Sequence, residues 1–134
     1  MELAPYLTFN GNCEAAFNLY EQLLGGKIEL MMRNGESPMA NTTPPDLKDK
    51  ILHVRMMVRG QALMGSDAPP GRFEKPQGAW VSLSVDSTDE AERIFKALAE
   101  NGSTVMPLQK TFWAARFGMC VDRFGTPWMV NAEK

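Results

Sequence analysis

Apolar and polar residues alternate along this chain with two different periods, and the switches between them mark its elements. In "APYLTF", Leu7 and Phe9 alternate with Tyr6 and Thr8, the two-residue period of a strand. The next stretch, "NCEAAFNLYEQLLGG", spaces Ala16, Leu19, Tyr20 and Leu23 along one face of a helix. Asn12 is placed to cap its start, and Gly25-Gly26 to end it through a left-handed residue. The same order returns later. In "WVSLSVD", Val81, Leu83 and Val85 alternate with Trp80, Ser82 and Ser84. In "STDEAERIFKALAENG", Ala91, Ile94, Phe95 and Leu98 repeat the helical spacing, with Ser87 and Glu90 as a capping box and Asn101-Gly102 as the stop.

Strand segments follow each helix: "KIELMMR", "ILHVRMMV" and "QALMGSD" after the first, "STVMPLQKT", "ARFGMCVD" and "PWMVN" after the second. Each half therefore reads β-α-β-β-β, an internal repeat within an α+β chain. The first module is expected over 1–67, with a polar, Pro-containing insertion at 34–50 that suits a lid, a dimer contact or a mobile loop. A linker is expected at 68–78 and the second module at 79–134. The glycines Gly60 and Gly125 occupy equivalent turns, each before the last strand of its module.

Bulk composition narrows the partners. Of 134 residues, 44% are apolar, enough for a core. The formal charge is −2, and no basic block stands out, which argues against nucleic acid or an anionic membrane as partner. "MELAPYLTF" lacks the cationic start of a signal peptide, and no apolar run approaches the roughly 20 residues that span a bilayer. Cys13 and Cys120 form no CxxC pair, so reduced thiols in a cytoplasmic protein are expected.

The paired modules, "FNLYEQLLGG" after the first strand and the closing "DRFGTPW" resemble the vicinal oxygen chelate superfamily, the fold of glyoxalase I, bleomycin-resistance proteins and extradiol dioxygenases. "PYLTFNGNCEAAFNLYEQLLGG", "HVRMMVRGQALMGSD" and "FWAARFGMCVDRFGTPWMVN" look most like its PhnB-like branch. The resemblance implies a curved mixed sheet around a cavity. Some proteins of this type carry a 3-demethylubiquinone methyltransferase label; this sequence has no Gly-rich strand-to-helix turn of the kind that holds a nucleotide-containing cofactor.

The resemblance also implies where a metal would sit. In metal-dependent members, His, Gln and Glu from the first and last strands of each module hold one divalent ion. Strand alternation puts Tyr6, Met64, Trp80 and Met129 at those positions, none a good ligand for a hard or borderline metal. No metal and no cofactor are therefore expected. Alternation in the middle strands sends His53, Arg55 and Met57 toward the cavity in the first module. In the second it sends Arg116, Gly118 and Cys120 there, with His53 and Arg116 as pseudo-symmetric mates.

The ligand-binding candidates are thus Tyr6, His53, Arg55, Trp80, Trp113, Arg116 and Met129, with the rings and Met129 as apolar walls and the arginines as holders of a carboxylate or phosphate. His53 is as readily structural, both arginines as readily paired with Asp67 or Asp122, and Trp113 as readily an interface residue. Asp122 to Gly125 reads as a turn, and Cys120 as a small buried residue. A small-molecule binding or sequestering protein, acting as a homodimer, is the first expectation. The alternatives are a metal-dependent lyase, isomerase or dioxygenase-like enzyme with displaced ligands such as His53 and Asp67, or a structural protein.

Overall fold

The computed structural model describes residues 1–134, and the chain divides into two compact units, Met1–Glu74 and Lys75–Lys134. The first contains β1 (Tyr6–Phe9), α1 (Cys13–Leu24), β2 (Lys27–Arg33), β3 (Ile51–Val58) and β4 (Gln61–Asp67). Its strands lie in the order β1-β4-β3-β2, with β1 parallel to β4 and the other neighbours antiparallel. The second contains β5 (Val81–Val85), α2 (Thr88–Ala99), β6 (Ser103–Gln109), β7 (Arg116–Val121) and β8 (Pro127–Ala132). Its order β5-β8-β7-β6 and its single parallel pair, β5 with β8, repeat the first. The sequence repeat is a repeat of topology: eight strands in two mixed sheets, each with one helix.

In each unit the helix packs on one face of its sheet. Helix α1 buries Cys13, Ala16, Phe17, Tyr20 and Leu23 together with Phe9, Val54, Met56 and Leu63. Phe9, Phe17 and Tyr20 meet edge-on, with centroids 5.9 and 5.5 Å apart, a geometry that adds to the area they bury. Helix α2 buries Ala91, Ile94, Phe95 and Leu98, the four residues its spacing marked, and β8 contributes Trp128, Val130 and Ala132 to the buried set.

The ends of the helices are held in two ways. Ser87 Oγ accepts the Glu90 N–H at 3.1 Å and so caps α2. Asn12 does not cap α1, because its side chain makes no capping bond. Asp67, from the end of β4, takes that place: its Oδ1 accepts the N–H groups of Gly11 and Cys13, both at 3.0 Å, and its Oδ2 accepts that of Ile51 at 2.8 Å. One carboxylate thereby ties the β1–α1 connection to the start of β3. The helix ends at Gly25, whose φ of 67° is the left-handed stop expected there.

The insertion at 34–50 is an ordered excursion of three short 3-10 turns. Asn34 and Gly35 donate to the carbonyls of Lys50 and Lys48, and Lys50 Nζ reaches the Gly11 carbonyl at 3.0 Å. At its edge the expected alternation fails for two residues: Ile51 is buried and Leu52 is 43% exposed. The ladder between β2 and β3 is irregular here, between Met32 and Arg33, and a bulge reverses which neighbour points inward.

The larger correction is in β7. Gly118 and Cys120 are buried on the helix side, and a Cβ on Gly118 would lie 2.8 Å from the Phe95 ring. Arg116 shares that side and bonds Glu92 of α2 at 3.3 Å, so the face expected for Arg116, Gly118 and Cys120 is inverted. The cause is turn length. β3 and β4 join through a two-residue turn, Arg59 and Gly60, with φ of 48° and 79°. The connection of β7 to β8 is longer, so one more residue separates Met119 from its partner Met129 than separates Arg55 from Met64. A shift of one residue exchanges the two faces of a strand.

Candidate functional site

With the helix on one face, each sheet has a far face, and the ladder defines equivalent rows across it. In the first unit the row is Leu30, Arg55, Met64 and Tyr6, on β2, β3, β4 and β1. His53 and Met32 are paired one step along on the same face. The Tyr6 and His53 rings stack with centroids 5.7 Å apart, and the phenol oxygen lies 3.1 Å from His53 Nδ1. With the phenol donating, the imidazole carries its proton on Nε2. Arg55 is bound by two carboxylates, Glu2 at 2.7 Å and Glu29 at 3.4 Å. Three expected site residues, Tyr6, His53 and Arg55, are therefore brought together, in company with Met64. Tyr6 at 48% and Leu30 at 43% exposure leave apolar surface on either side of the guanidinium.

The equivalent row of the second unit is Met106, Met119, Met129 and Ser82. Phe117 and Asn131 are paired one step along, and Trp113 stands edge-on to Phe117 at 5.3 Å and to Phe112 at 4.8 Å. Met129 is on the far face as expected, and Trp113 joins it through Phe117. Two expected positions differ. Ser82, and not Trp80, lies across from Met129; Trp80 precedes β5 by one residue. The mate of His53 is Phe117, and Arg116 is on the opposite face with Glu92. Phe117 and Met119 were missed because their face depends on the length of the 122–126 turn, which alternation within one strand cannot reveal.

Asp122 and Asp67 pair with neither arginine. Asp122 is 3% exposed and accepts from the backbone of Phe124 and Thr126 through Oδ1, both at 2.9 Å, and from the Trp128 indole through Oδ2 at 2.8 Å. Gly125 follows with a φ of 94°, the conformation the turn reading required. Both thiols are buried. Burial first, and Asp122 second, push Cys120 up to about 11, and burial likewise raises Cys13. Neither is a thiolate nucleophile at neutral pH.

The donors do not fit the divalent ion that the resemblance implies. The strand-end pairs are Tyr6 with Met64 and Ser82 with Met129, two hydroxyls and two thioethers. His53 faces Tyr6, both oxygens of Asp67 hold backbone N–H groups, and no three His, Cys, Asp or Glu side chains converge. Such a set lacks the imidazole and carboxylate donors a borderline or hard ion takes.

Two β-α-β-β-β units with this strand order define the glyoxalase and bleomycin-resistance class of α+β fold. The fosfomycin resistance protein FosX of Listeria monocytogenes has it too, with a TM-score of 0.66, 7% identity and coverage of 100% of this chain and 93% of FosX, a likeness of fold alone. Within that class, the chain belongs to the 3-demethylubiquinone-9 3-methyltransferase (PhnB) family, whose profile matches residues 1–131. Protein YjdN of Escherichia coli is 36% identical over 142 residues, covering 100% of this chain and 97% of YjdN. The crystal structure of protein PA1353 of Pseudomonas aeruginosa is 54% identical, with a TM-score of 0.91 over 99% of this chain and 98% of that one.

Proposed function

We propose that this protein binds a small aromatic or anionic molecule on the far face of its first sheet and acts by holding it, as a sequestering protein or a sensor. The observation that carries this reading is the grouping of Tyr6, His53, Arg55 and Met64. A stacked pair of rings and a guanidinium stand beside exposed apolar surface. A few convergent polar groups in apolar surroundings are the usual form of a small-molecule site. Met129 and Trp113 offer a second, uncharged surface of the same kind, and Trp80 precedes β5, whose Ser82 lies across from Met129.

The methyl transfer in the family's description has no support in the local chemistry. The loop after β1 holds one glycine, Gly11, and its N–H is already bonded to Asp67. The start of α1 therefore presents no free nest for a nucleotide-containing donor. A displaced-ligand metal enzyme meets the same obstacle, since Asp67 is committed to the backbone. Homodimer formation belongs to this reading, because each sheet ends in outer strands with ladder groups to share. No helix is long and apolar enough to cross a membrane. A cytoplasmic location belongs to the proposal and is supported by the two free, buried cysteines, Cys13 and Cys120.

Calorimetric titration with divalent metals, with native mass measurement of the protein as purified, tests the proposal. The expected result is no stoichiometric metal and a retained small organic molecule. Tight one-to-one metal binding overturns it. Light scattering reads the dimer.

A further inference from the structure

Arg55 is held by two carboxylates of different standing. Its Nη1 and Nη2 donate to the two oxygens of Glu2 at 2.8 and 2.7 Å, a bidentate fork. Its Nε lies 3.4 Å from Glu29 Oε1, and Nη1 also lies 3.5 Å from Met64 Sδ. Glu29 is part of β2, at the bulge between Ile28 and Leu30 opposite Arg55, and so is carried by the sheet. Glu2 is on the segment before β1, which forms no helix or strand, and its neighbours Met1 and Leu3 are fully exposed. The fork is thus occupied by a carboxylate outside the ladder, three residues ahead of Pro5, whose carbonyl accepts the Met64 N–H, and at the centre of a row whose other members are Leu30, Met64 and Tyr6. A carboxylate of this geometry is what the planar guanidinium accepts from a ligand.

The charges set the terms of exchange. One guanidinium between two carboxylates carries a local excess of one negative charge, which repels a further anion for as long as Glu2 stays. Glu29 can keep Nε and hold the plane of the guanidinium after Glu2 has left. It also disfavours a dianion, so the site selects a single negative charge. Leu30 and Tyr6, both more than two-fifths exposed, flank the fork with apolar surface.

We propose, resting on the binding reading above, that Arg55 is a carboxylate site masked by Glu2. An aromatic monocarboxylate takes the Nη1–Nη2 fork in place of Glu2 and lays its ring against Tyr6, Leu30 and Met64. The N-terminal strap is displaced as it binds.

Benzoate is the probe, benzamide its uncharged counterpart, and the Arg55 guanidinium resonances with calorimetry are the readout. Benzoate should shift the Arg55 resonances of the wild-type chain and bind at least roughly tenfold tighter than benzamide, as a charge-assisted fork requires. Glu2→Gln should tighten benzoate by a further factor of about ten, since the competitor loses its charge. Arg55→Gln should remove the preference over benzamide. Equal affinity for the two probes, or Arg55 resonances that stay put when benzoate is added to Glu2→Gln, overturns the masked site and leaves the wider binding reading standing. Metal capture in the earlier titration removes that reading, while the contest between benzoate and Glu2 is still scored on its own.

Discussion

The two units receive their helices in mirror fashion. In the first, the Phe17 ring sits over Gly65 of β4, which is paired with Val54 of β3. In the second, the Phe95 ring sits over Gly118 of β7, which is paired with Val130 of β8. Both sites are a glycine–valine pair beneath a helix aromatic, with the glycine on opposite strands of the hairpin. A Cβ on either glycine would come within 2.8 Å of the ring. What the fold requires is a gap of one side chain under the ring, and either strand can supply it, because a close-packed interior counts volume and not position in sequence. The carboxylate staples differ in the same spirit: Asp67 secures the helix end of its unit and Asp122 the hairpin of the other. The far faces differ in chemistry, with a guanidinium and an imidazole on the first and methionines, Phe117 and hydroxyls on the second.

Four substitutions break or sharpen this comparison. Asp122→Ala should cost the most, about 3–5 kcal/mol, because it strands two backbone donors and the Trp128 indole in a buried place; denaturant unfolding measures it. Asp67→Ala should cost less, roughly 2–3 kcal/mol, as its site is partly open to water. Its signature is faster amide exchange at Gly11, Cys13 and Ile51, and an unchanged exchange pattern there would refute the stapling role. Gly65→Ala and Gly118→Ala should each lose about 1–3 kcal/mol by overpacking, and similar losses at both would support the equivalence of the two gaps. If only one is costly, the mirror relation fails.

The smallest effect is electrostatic. Arg33 donates to Glu14 at 2.6 Å and holds its carboxyl below the ordinary carboxylate range, as Arg55 does for Glu2. A group whose folded value is depressed stabilises fully above its unfolded value, and that contribution disappears as pH falls through the lowered one. Glu14→Gln should thus cost less than about 1 kcal/mol at neutral pH, since both side chains are partly open to water, which screens the pair. It should also flatten the acid limb of the stability curve, which thermal melts across the acid range would show.

Much of the architecture was legible because period and punctuation are local. The α2 spacing marked its four buried residues, Ser87 marked its start and Gly25 the end of α1. The far faces of the sheets were legible where alternation ran undisturbed, at Tyr6, His53, Arg55, Met64 and Met129. It was misread where counting had to pass through a turn, at Arg116 and Phe117, and where a cap came from afar, since Asp67 stands 54 residues beyond the Cys13 N–H it accepts. Glu2 gave no signal at all, lying in a segment with no periodicity.

The order of elements, the repeat and the absence of metal-type donors at the strand ends follow from the residues alone, because each depends on side chains a few positions apart. Which face β7 presents, which carboxylate reaches which donor and which charge meets Arg55 were decided only by the folded chain. Those choices depend on turn length and on pairings between distant segments, and a single extra residue between β7 and β8 was enough to reverse a face.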